Sequence, residues 1–246
     1  MKYALDPALV PAMAELKRGS ANAPRPVRGD WQAVRASANA GQAYMPALSP
    51  TVTGVTTTDF TTETFDSEAT LLLRWYAKTG KTPGSAVVYA HGGGMLGGSV
   101  DLYDEVVAWY VAHSGIPFLS VDLRLAPEAP TSTAMAEDVY SALIWLREHA
   151  ASLGVNPDRI ALMGDSGGGG PTAGAAILAR DRNIPVAKQI LIYPMLDDRH
   201  TKLARHGVPI ELHVHPGAPH GFERFVPDSD IARRAMTDRI RTITDI

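Results

Sequence analysis

Apolar positions along the chain follow two periods, one typical of buried strands and one typical of amphipathic helices. Short continuous apolar runs predict buried strands at residues 85–90, 116–121, 159–163 and 187–193. Segments rich in β-branched or alternating apolar residues predict further strands at residues 52–58, 69–76 and 210–215. Helical spacing predicts helices at residues 101–113, 132–153, 172–180 and 231–243. Strands that alternate with helices indicate an α/β fold with a mainly parallel central sheet and helices on both faces.

Two more helices are predicted before the first strand. Asp6 and Pro7 supply an N-cap and a first-turn proline, and apolar residues follow at helical spacing until about Gly19. A second helix is predicted from Asp30, with Trp31 and Val34 on one side. Such an amphipathic pair is expected to pack on the main domain, and, if it has a functional role, to cover a cleft.

Composition narrows the function classes. The chain has 246 residues, a formal net charge of −3 and no cysteine. The absence of cysteine excludes disulfides, thiol catalysis and cysteine-ligated metals. Without a basic excess to neutralise phosphates, a nucleic-acid partner is not expected. The sequence has no stretch of 18 apolar residues and no apolar signal core at its start, so we expect a cytoplasmic protein without stable membrane insertion.

One motif stands at the end of a predicted strand. The strand at residues 159–163 leads into Gly164-Asp165-Ser166-Gly167-Gly168. Glycines on both sides of the serine permit a turn too tight for a Cβ, which would lift the Ser166 hydroxyl above the sheet edge. The alternative interpretation is an ordinary glycine-rich loop between a strand and a helix. The first interpretation makes Ser166 a candidate nucleophile.

A second glycine-rich run follows another predicted strand. His91-Gly92-Gly93-Gly94 comes directly after residues 85–90, so it is expected at the same sheet edge as Ser166. A serine nucleophile needs hydrogen-bond donors aimed at the negative oxygen that forms on the substrate. The N–H groups of Gly92, Gly93 and Gly167 are candidates for this oxyanion hole, and the alternative is a turn that binds nothing.

Serine chemistry also needs a base. Of the eight histidines, His220 is the best placed because it follows the last predicted strand in a loop rich in proline and glycine. His213 and His215 lie two residues apart and would share one face of a strand, an arrangement that suggests a metal pair. No third ligand stands at a suitable spacing, so a packed strand face is the preferred interpretation and no metal is predicted.

These motifs, in this order, resemble the hormone-sensitive-lipase-like group of α/β-hydrolases, the bacterial family IV esterases. The resemblance is carried by residues 91–94, 122–128, 164–168 and 219–222 and extends over nearly the whole chain. It implies hydrolysis of short- to medium-chain esters without a cofactor, with Ser166 as nucleophile, His220 as base, and Gly92, Gly93 and Gly167 as oxyanion donors. Residues 1–45 resemble the lid of the family, and residues 46–246 resemble its catalytic domain.

The chain departs from the family between residues 195 and 209. Family members have there the rest of the lid, another strand and the aspartate that orients the catalytic histidine. Here a link of 15 residues replaces them, enough for a short helix and a return to the sheet. Asp197 and Asp198 would then follow the strand next to the one that leads to His220. We favour Asp197 as the triad acid, with Asp198 as the alternative and a purely structural role for both as a third interpretation.

Three hypotheses follow from this combination. The preferred one is a serine carboxylesterase with a reduced lid and a rewired or weakened acid, whose partner is a small-molecule ester. The second is an α/β-hydrolase-fold binding protein with impaired catalysis, and the third is an engineered or truncated form of a longer esterase. A shortened lid would also expose apolar lining, which keeps a homodimer among the expected assemblies.

Overall fold

The structure, a computed structural model, describes residues 4–20, 26–44, 51–196 and 211–246. Its strands are β1 (Val55–Glu63), β2 (Thr70–Lys78), β3 (Gly84–Ala90), β4 (Phe118–Val121), β5 (Val155–Asp165) and β6 (Lys188–Ile192). The α-helices of the described residues are α1 (Val10–Ser20), α2 (Trp31–Tyr44), α3 (Asp104–Ser114), α4 (Ala134–His149), α5 (Gly169–Asp181), α6 (Phe222–Phe225) and α7 (Asp230–Thr244). The helices predicted from apolar spacing are all present, with ends that differ by a few residues.

The six strands form one sheet in the order β1-β2-β4-β3-β5-β6. The pairs β4–β3, β3–β5 and β5–β6 are parallel, whereas β1–β2 and β2–β4 are antiparallel. β4 and β3 form the centre of the sheet, and the buried side chains of their apolar runs account for that position. The predicted, mainly parallel sheet is therefore confirmed.

Helices cover both faces of the sheet. On one face, α4 and α5 bury a cluster that includes Leu143, Leu146 and Ile160. On the other face, residues of α3 and α7 join a cluster around Tyr89 and Phe118. The apolar runs of β3, β4 and β5 are buried from both sides for this reason, whereas β6, the last strand of the described sheet, is only partly buried.

The prediction of a strand at residues 210–215 is wrong for the part that the structure describes. Residues 211–215 form no strand, and β6 is the last strand on its side of the sheet among the described residues. Leu212 and Val214, the apolar half of the alternating pattern, are 80% and 70% exposed. Alternation gives a segment two faces, but a strand also needs a neighbour to accept its backbone hydrogen bonds.

A third, smaller cluster joins the two ends of the chain. Leu9, at the start of the N-terminal helices, is buried against Phe222 of α6 and Ile231 of α7. The backbone N–H of Asp6 donates to the carbonyl of Gly217 at 2.9 Å. The segment that carries His220 is thus packed against the beginning of the chain.

Candidate active site

The register of the sheet brings the motif-bearing loops to one edge. Ala90 of β3 pairs with Gly164 of β5 and with Val121 of β4, and Asp165 of β5 pairs with Ile192 of β6. The residues that follow these strands therefore leave the sheet side by side. This is the carboxyl edge, where sites lie in open α/β sheets.

The turn after β5 holds Ser166 in a left-handed backbone conformation, with φ of +49°. Such a conformation is unfavourable for a residue with a side chain. Contacts around the turn hold it, because a Cβ on Gly168 would clash with the carbonyl oxygens of Ala90 and His91. The Met195 N–H also donates to the Ser166 carbonyl at 2.7 Å. The predicted sharp turn at Ser166 is present, and glycine is required beside it.

Ser166 and His220 lie together. The distance between Ser166 Oγ and His220 Nε2 is 2.8 Å, within hydrogen-bond range, although 54 residues separate them in sequence. His220 stands between turns that use Gly217 and Gly221 at positive φ, and Phe222 anchors the segment in the third cluster. A neutral imidazole in this position can accept the hydroxyl proton.

Asp165 precedes the serine, and its side chain is buried beneath the turn, beside Tyr89 and Tyr103. Its carboxylate accepts hydrogen bonds from the hydroxyls of Tyr89, at 2.8 Å, and Tyr103, at 3.2 Å. Burial raises the pKa of Asp165, and the Tyr89 hydrogen bond offsets this only in part. Asp165 is therefore a buried anchor of the turn.

Residues 91–98, which we call the glycine loop, run over the serine turn. A Cβ built on Gly167 would lie 2.6 Å from the backbone nitrogens of Gly94 and Met95, so the two backbones are in close contact. A Cβ on Gly92 would lie 2.5 Å from the Tyr103 hydroxyl oxygen. Gly92 thus lies on the buried side of the loop, and Gly94 is a neighbour of Gly167 that sequence reasoning did not include among the donors.

His91 holds the base of this loop. Its ring is buried, and Nδ1 is 2.8 Å from the carbonyl oxygen of Gly92, which accepts when Nδ1 carries the proton. Burial lowers the pKa of His91, so the imidazole is neutral at physiological pH. A Cβ on Gly98 would lie 2.6 Å from the same ring nitrogen, so the loop closes over the histidine.

Tyr193 and Glu223 lie beside the histidine and were not found from the sequence. The Tyr193 ring centroid is 4.4 Å from that of His220, and its hydroxyl donates to Glu223 at 2.6 Å. Arg239 of α7 donates to the same carboxylate oxygen at 2.8 Å. Burial alone raises the pKa of Glu223, but the charge of Arg239 and these hydrogen bonds hold it below its usual range. A buried ion pair therefore underlies the histidine.

The other residues predicted at a site are two aspartates and a pair of histidines. Asp197 and Asp198 lie outside the described residues. His213 is bonded to Glu211 at 2.8 Å and to Asp238 at 3.1 Å, so its ring is occupied by carboxylates. The described part of the chain holds no cluster of three side chains suited to a metal. In the same part, no helix is long and apolar enough to cross a bilayer.

Comparison with known proteins agrees with this architecture. A family model described as the alpha/beta hydrolase fold matches residues 87–204. The solved structure of a bacterial heroin esterase is similar with a TM-score of 0.86 and 24% identity, covering 98% of this chain and 97% of the other. At that identity the likeness establishes the fold, and it confirms the α/β-hydrolase fold predicted from the sequence.

Two curated relatives are similar in sequence. Carboxylesterase NlhH of Mycobacterium tuberculosis is 45% identical over 109 residues, 44% of this chain and 34% of the relative. An arylesterase of Saccharolobus solfataricus is 30% identical over 160 residues, 64% of this chain and 52% of the relative. The matches thus span about a third to a half of the length of these relatives. The chain therefore has the α/β-hydrolase fold, and over the matched residues it is similar to esterases of the hormone-sensitive-lipase-like group.

Proposed function

We propose that the chain hydrolyses short- to medium-chain carboxylic esters through an acyl-enzyme on Ser166. The observation that carries the proposal is the 2.8 Å contact between Ser166 Oγ and His220 Nε2 at the carboxyl edge of the sheet. Without a base in reach, a serine hydroxyl is a weak nucleophile at neutral pH. The esterase names of the relatives support the same reaction class.

The first half of the reaction forms the acyl-enzyme. His220 Nε2 takes the proton of Ser166 as Oγ attacks the ester carbonyl, and the electron pair of the C=O bond moves to its oxygen. The backbone N–H groups of Gly92, Gly93 and Gly167 are the donors proposed for that oxygen. Collapse of the tetrahedral intermediate breaks the ester C–O bond, and His220 returns the proton to the leaving alcohol.

The second half of the reaction releases the carboxylic acid product. Water attacks the acyl carbonyl while His220 accepts its proton, and the second tetrahedral intermediate breaks the bond to Ser166 Oγ. The proton passes from His220 back to the serine, which restores the resting state. No cofactor enters either half of the proposed cycle.

Asp197, or alternatively Asp198, is proposed to orient the second nitrogen of His220. In a serine protease, replacing the triad acid with its amide lowers kcat by about 10⁴. We therefore propose comparing Asp197→Asn with Asp198→Asn: the variant that loses orders of magnitude in kcat identifies the acid. If neither changes kcat, His220 works without either carboxylate.

Residues 1–45 are proposed to form a lid over the site, because α2 packs on the glycine loop through Arg35 and Asn39. The remaining residues, 46–246, would then form the catalytic domain. The contacts of α2 with Leu96 and Gly98 support this proposal.

The test of the proposed function is esterase activity on p-nitrophenyl acetate and butyrate. We expect the wild type to turn over both esters and Ser166→Ala to abolish turnover and labelling by a fluorophosphonate probe. Ser152→Ala is the matched control, since Ser152 is exposed and its hydroxyl bonds only the carbonyl of His149 among the described residues. Turnover that survives in Ser166→Ala would refute the proposal.

A further inference from the structure

We infer that Arg35 and Asn39 of α2 are positioning residues that hold the glycine loop in the geometry needed for oxyanion stabilisation. The inference rests on the proposed function, since it assigns these side chains to the same reaction. They would act through the backbone of the loop and not on the substrate.

The first observation is the set of hydrogen bonds that Arg35 makes. Its Nε donates to the carbonyl of Leu96 at 2.6 Å, and its Nη2 donates to the carbonyl of Ala126 at 2.8 Å. The guanidinium also forms a bidentate ion pair with Glu128, at 2.9 and 2.6 Å. One planar side chain thus joins α2, the glycine loop and the loop after β4, in the fork geometry that only arginine offers.

The loop after β4 closes these contacts into a ring. The N–H of Ala126 donates to the carbonyl of Met95 at 2.9 Å, next to the Leu96 carbonyl that Arg35 binds. The Trp31 ring, one turn earlier on α2, lies 4.6 Å from the guanidinium carbon and supports its orientation. Leu96 is therefore held by Arg35 directly, and Met95 is held by Ala126, whose carbonyl Arg35 also binds.

The second observation is independent and concerns Asn39, one turn later on the same helix face. Its side-chain oxygen accepts from the N–H of Gly98 at 2.9 Å, at the end of the glycine loop. A Cβ on Gly97 would lie 2.6 Å from that oxygen, so helix and loop are in direct contact. Arg35 and Asn39 stand at positions i and i+4, which share one face of a helix.

Oxyanion stabilisation requires a rigid loop, and these contacts restrain a loop that is rich in glycine. Glycine at positions 92, 93, 94, 97 and 98 gives the loop more backbone freedom than it would have with other residues at these positions. Oxyanion donors act only when they are fixed at about 2.7–3.1 Å from the negative oxygen, before the reaction begins. The N–H groups of Leu96 and Gly97 donate to the Gly93 carbonyl and close the loop on itself, and Arg35 and Asn39 hold residues 96 and 98 from outside, next to the amides that lie against Gly167.

The main test compares Arg35→Ala with Gln32→Ala, an exposed position on the same helix whose side chain makes no hydrogen bond to the described residues. A displacement of about 1 Å in catalytic geometry costs about 10²-fold in rate, so we expect kcat of Arg35→Ala to fall about 10²-fold. KM should stay within about threefold, because ground-state binding is not the interaction removed. Gln32→Ala should retain wild-type values.

A trifluoromethyl ketone separates positioning from general destabilisation, because it forms a tetrahedral oxyanion on a serine. Its affinity for Arg35→Ala should fall by about the same factor as kcat/KM. If kcat and the melting temperature fall while this affinity is unchanged, the role of Arg35 is structural only and the inference is overturned. A kcat within about threefold of the wild type would overturn it as well.

Asn39 provides a second pair of variants if Arg35→Ala does not fold. Asn39→Asp keeps the acceptor oxygen for Gly98 and should retain kcat, whereas Asn39→Ala removes it and should lower kcat by about tenfold or more. Equal activity of the two would contradict the inference. Amide hydrogen exchange over residues 91–98 tests the inference even if the wild type shows no esterase activity. We expect faster exchange in Arg35→Ala than in Gln32→Ala. Equal exchange would show that Arg35 does not restrain the glycine loop and would refute the inference.

Discussion

The buried ion pair beneath His220 gives a quantitative prediction. Glu223 and Arg239 have side chains that are 3% and 10% exposed and meet at 2.8 Å. Glu223→Gln keeps the shape of the side chain but leaves the guanidinium without its carboxylate. The amide oxygen of the glutamine can still accept from Arg239, but it carries no charge to balance the guanidinium, whose other hydrogen bonds among the described residues go to the Tyr110 hydroxyl and the Met236 sulfur, both at 3.3 Å. Removing one partner of a buried pair costs about 3–5 kcal/mol, so we expect that loss in the free energy of unfolding.

Urea unfolding followed by tryptophan fluorescence measures this loss. With a denaturant dependence of about 3 kcal/mol per molar urea, a loss of 3 kcal/mol moves the midpoint down by about 1 M. The double variant Glu223→Gln/Arg239→Met should recover much of the loss, because the second substitution removes the buried guanidinium that the first leaves without a counter-charge. The coupling energy of the two sites is then several kcal/mol.

An exposed pair on the same helix is the matched control. Asp230 and Arg233 form an ion pair with side chains 86% and 59% exposed. Asp230→Asn should therefore cost less than about 1 kcal/mol. The reasoning fails if Glu223→Gln costs no more than Asp230→Asn, or if the coupling between Glu223 and Arg239 is near zero, since burial would then not set the strength of the pair.

Two further predictions follow from the same contacts. Gly168→Ala should cost about 1–3 kcal/mol, because its Cβ would clash with the carbonyl oxygens of Ala90 and His91, and kcat should fall with it; Gly41→Ala, in open space on a helix, should leave both unchanged or raise stability slightly. Thermal unfolding and ester turnover test this, and a neutral Gly168→Ala would contradict the tight turn. The pKa of Glu223 is lower in the folded state than in the unfolded state, so the unfolded state binds more protons as the pH falls. The stability that ionised Glu223 gives to the folded state is therefore lost as the pH falls below about 5. Urea unfolding at pH 6, 5 and 4 should show a smaller loss for Glu223→Gln than for the wild type, and parallel losses would rule out this linkage.

Local patterns in the sequence were enough for the parts of the fold that depend on burial. Residues 85–90 and 160–163 are continuous apolar runs, and the structure buries both in the interior of the sheet, with a neighbouring strand on either side. The two glycine motifs follow these strands, so their meeting at one edge follows from parallel pairing alone. His220 was selected by its place after the last predicted strand, and it lies beside Ser166 although that strand is absent from residues 211–215.

Contacts between distant polar side chains were not accessible in this way. Arg35 binds groups 61 to 93 residues further along the chain, and Glu223 meets Tyr193 from 30 residues away. A polar residue on an amphipathic helix carries no local sign of the carbonyl or carboxylate that it will meet. The helix around Arg35 was predicted from its spacing, but its partners depend on how the loops pack after the sheet has formed.

The position of His220 explains how the pair with Ser166 exists without a strand leading to the histidine. Gly217 is bonded to the backbone of Asp6, and Phe222 packs against Leu9, so the first residues of the chain hold the histidine segment from both ends. Tyr193 supports the imidazole ring from the end of β6. These contacts replace the restraint that a neighbouring strand would give. Since α2 contacts the glycine loop at the same time, the N-terminal segment supports both halves of the proposed site, the segment that carries the proposed base and the loop that carries the proposed donors.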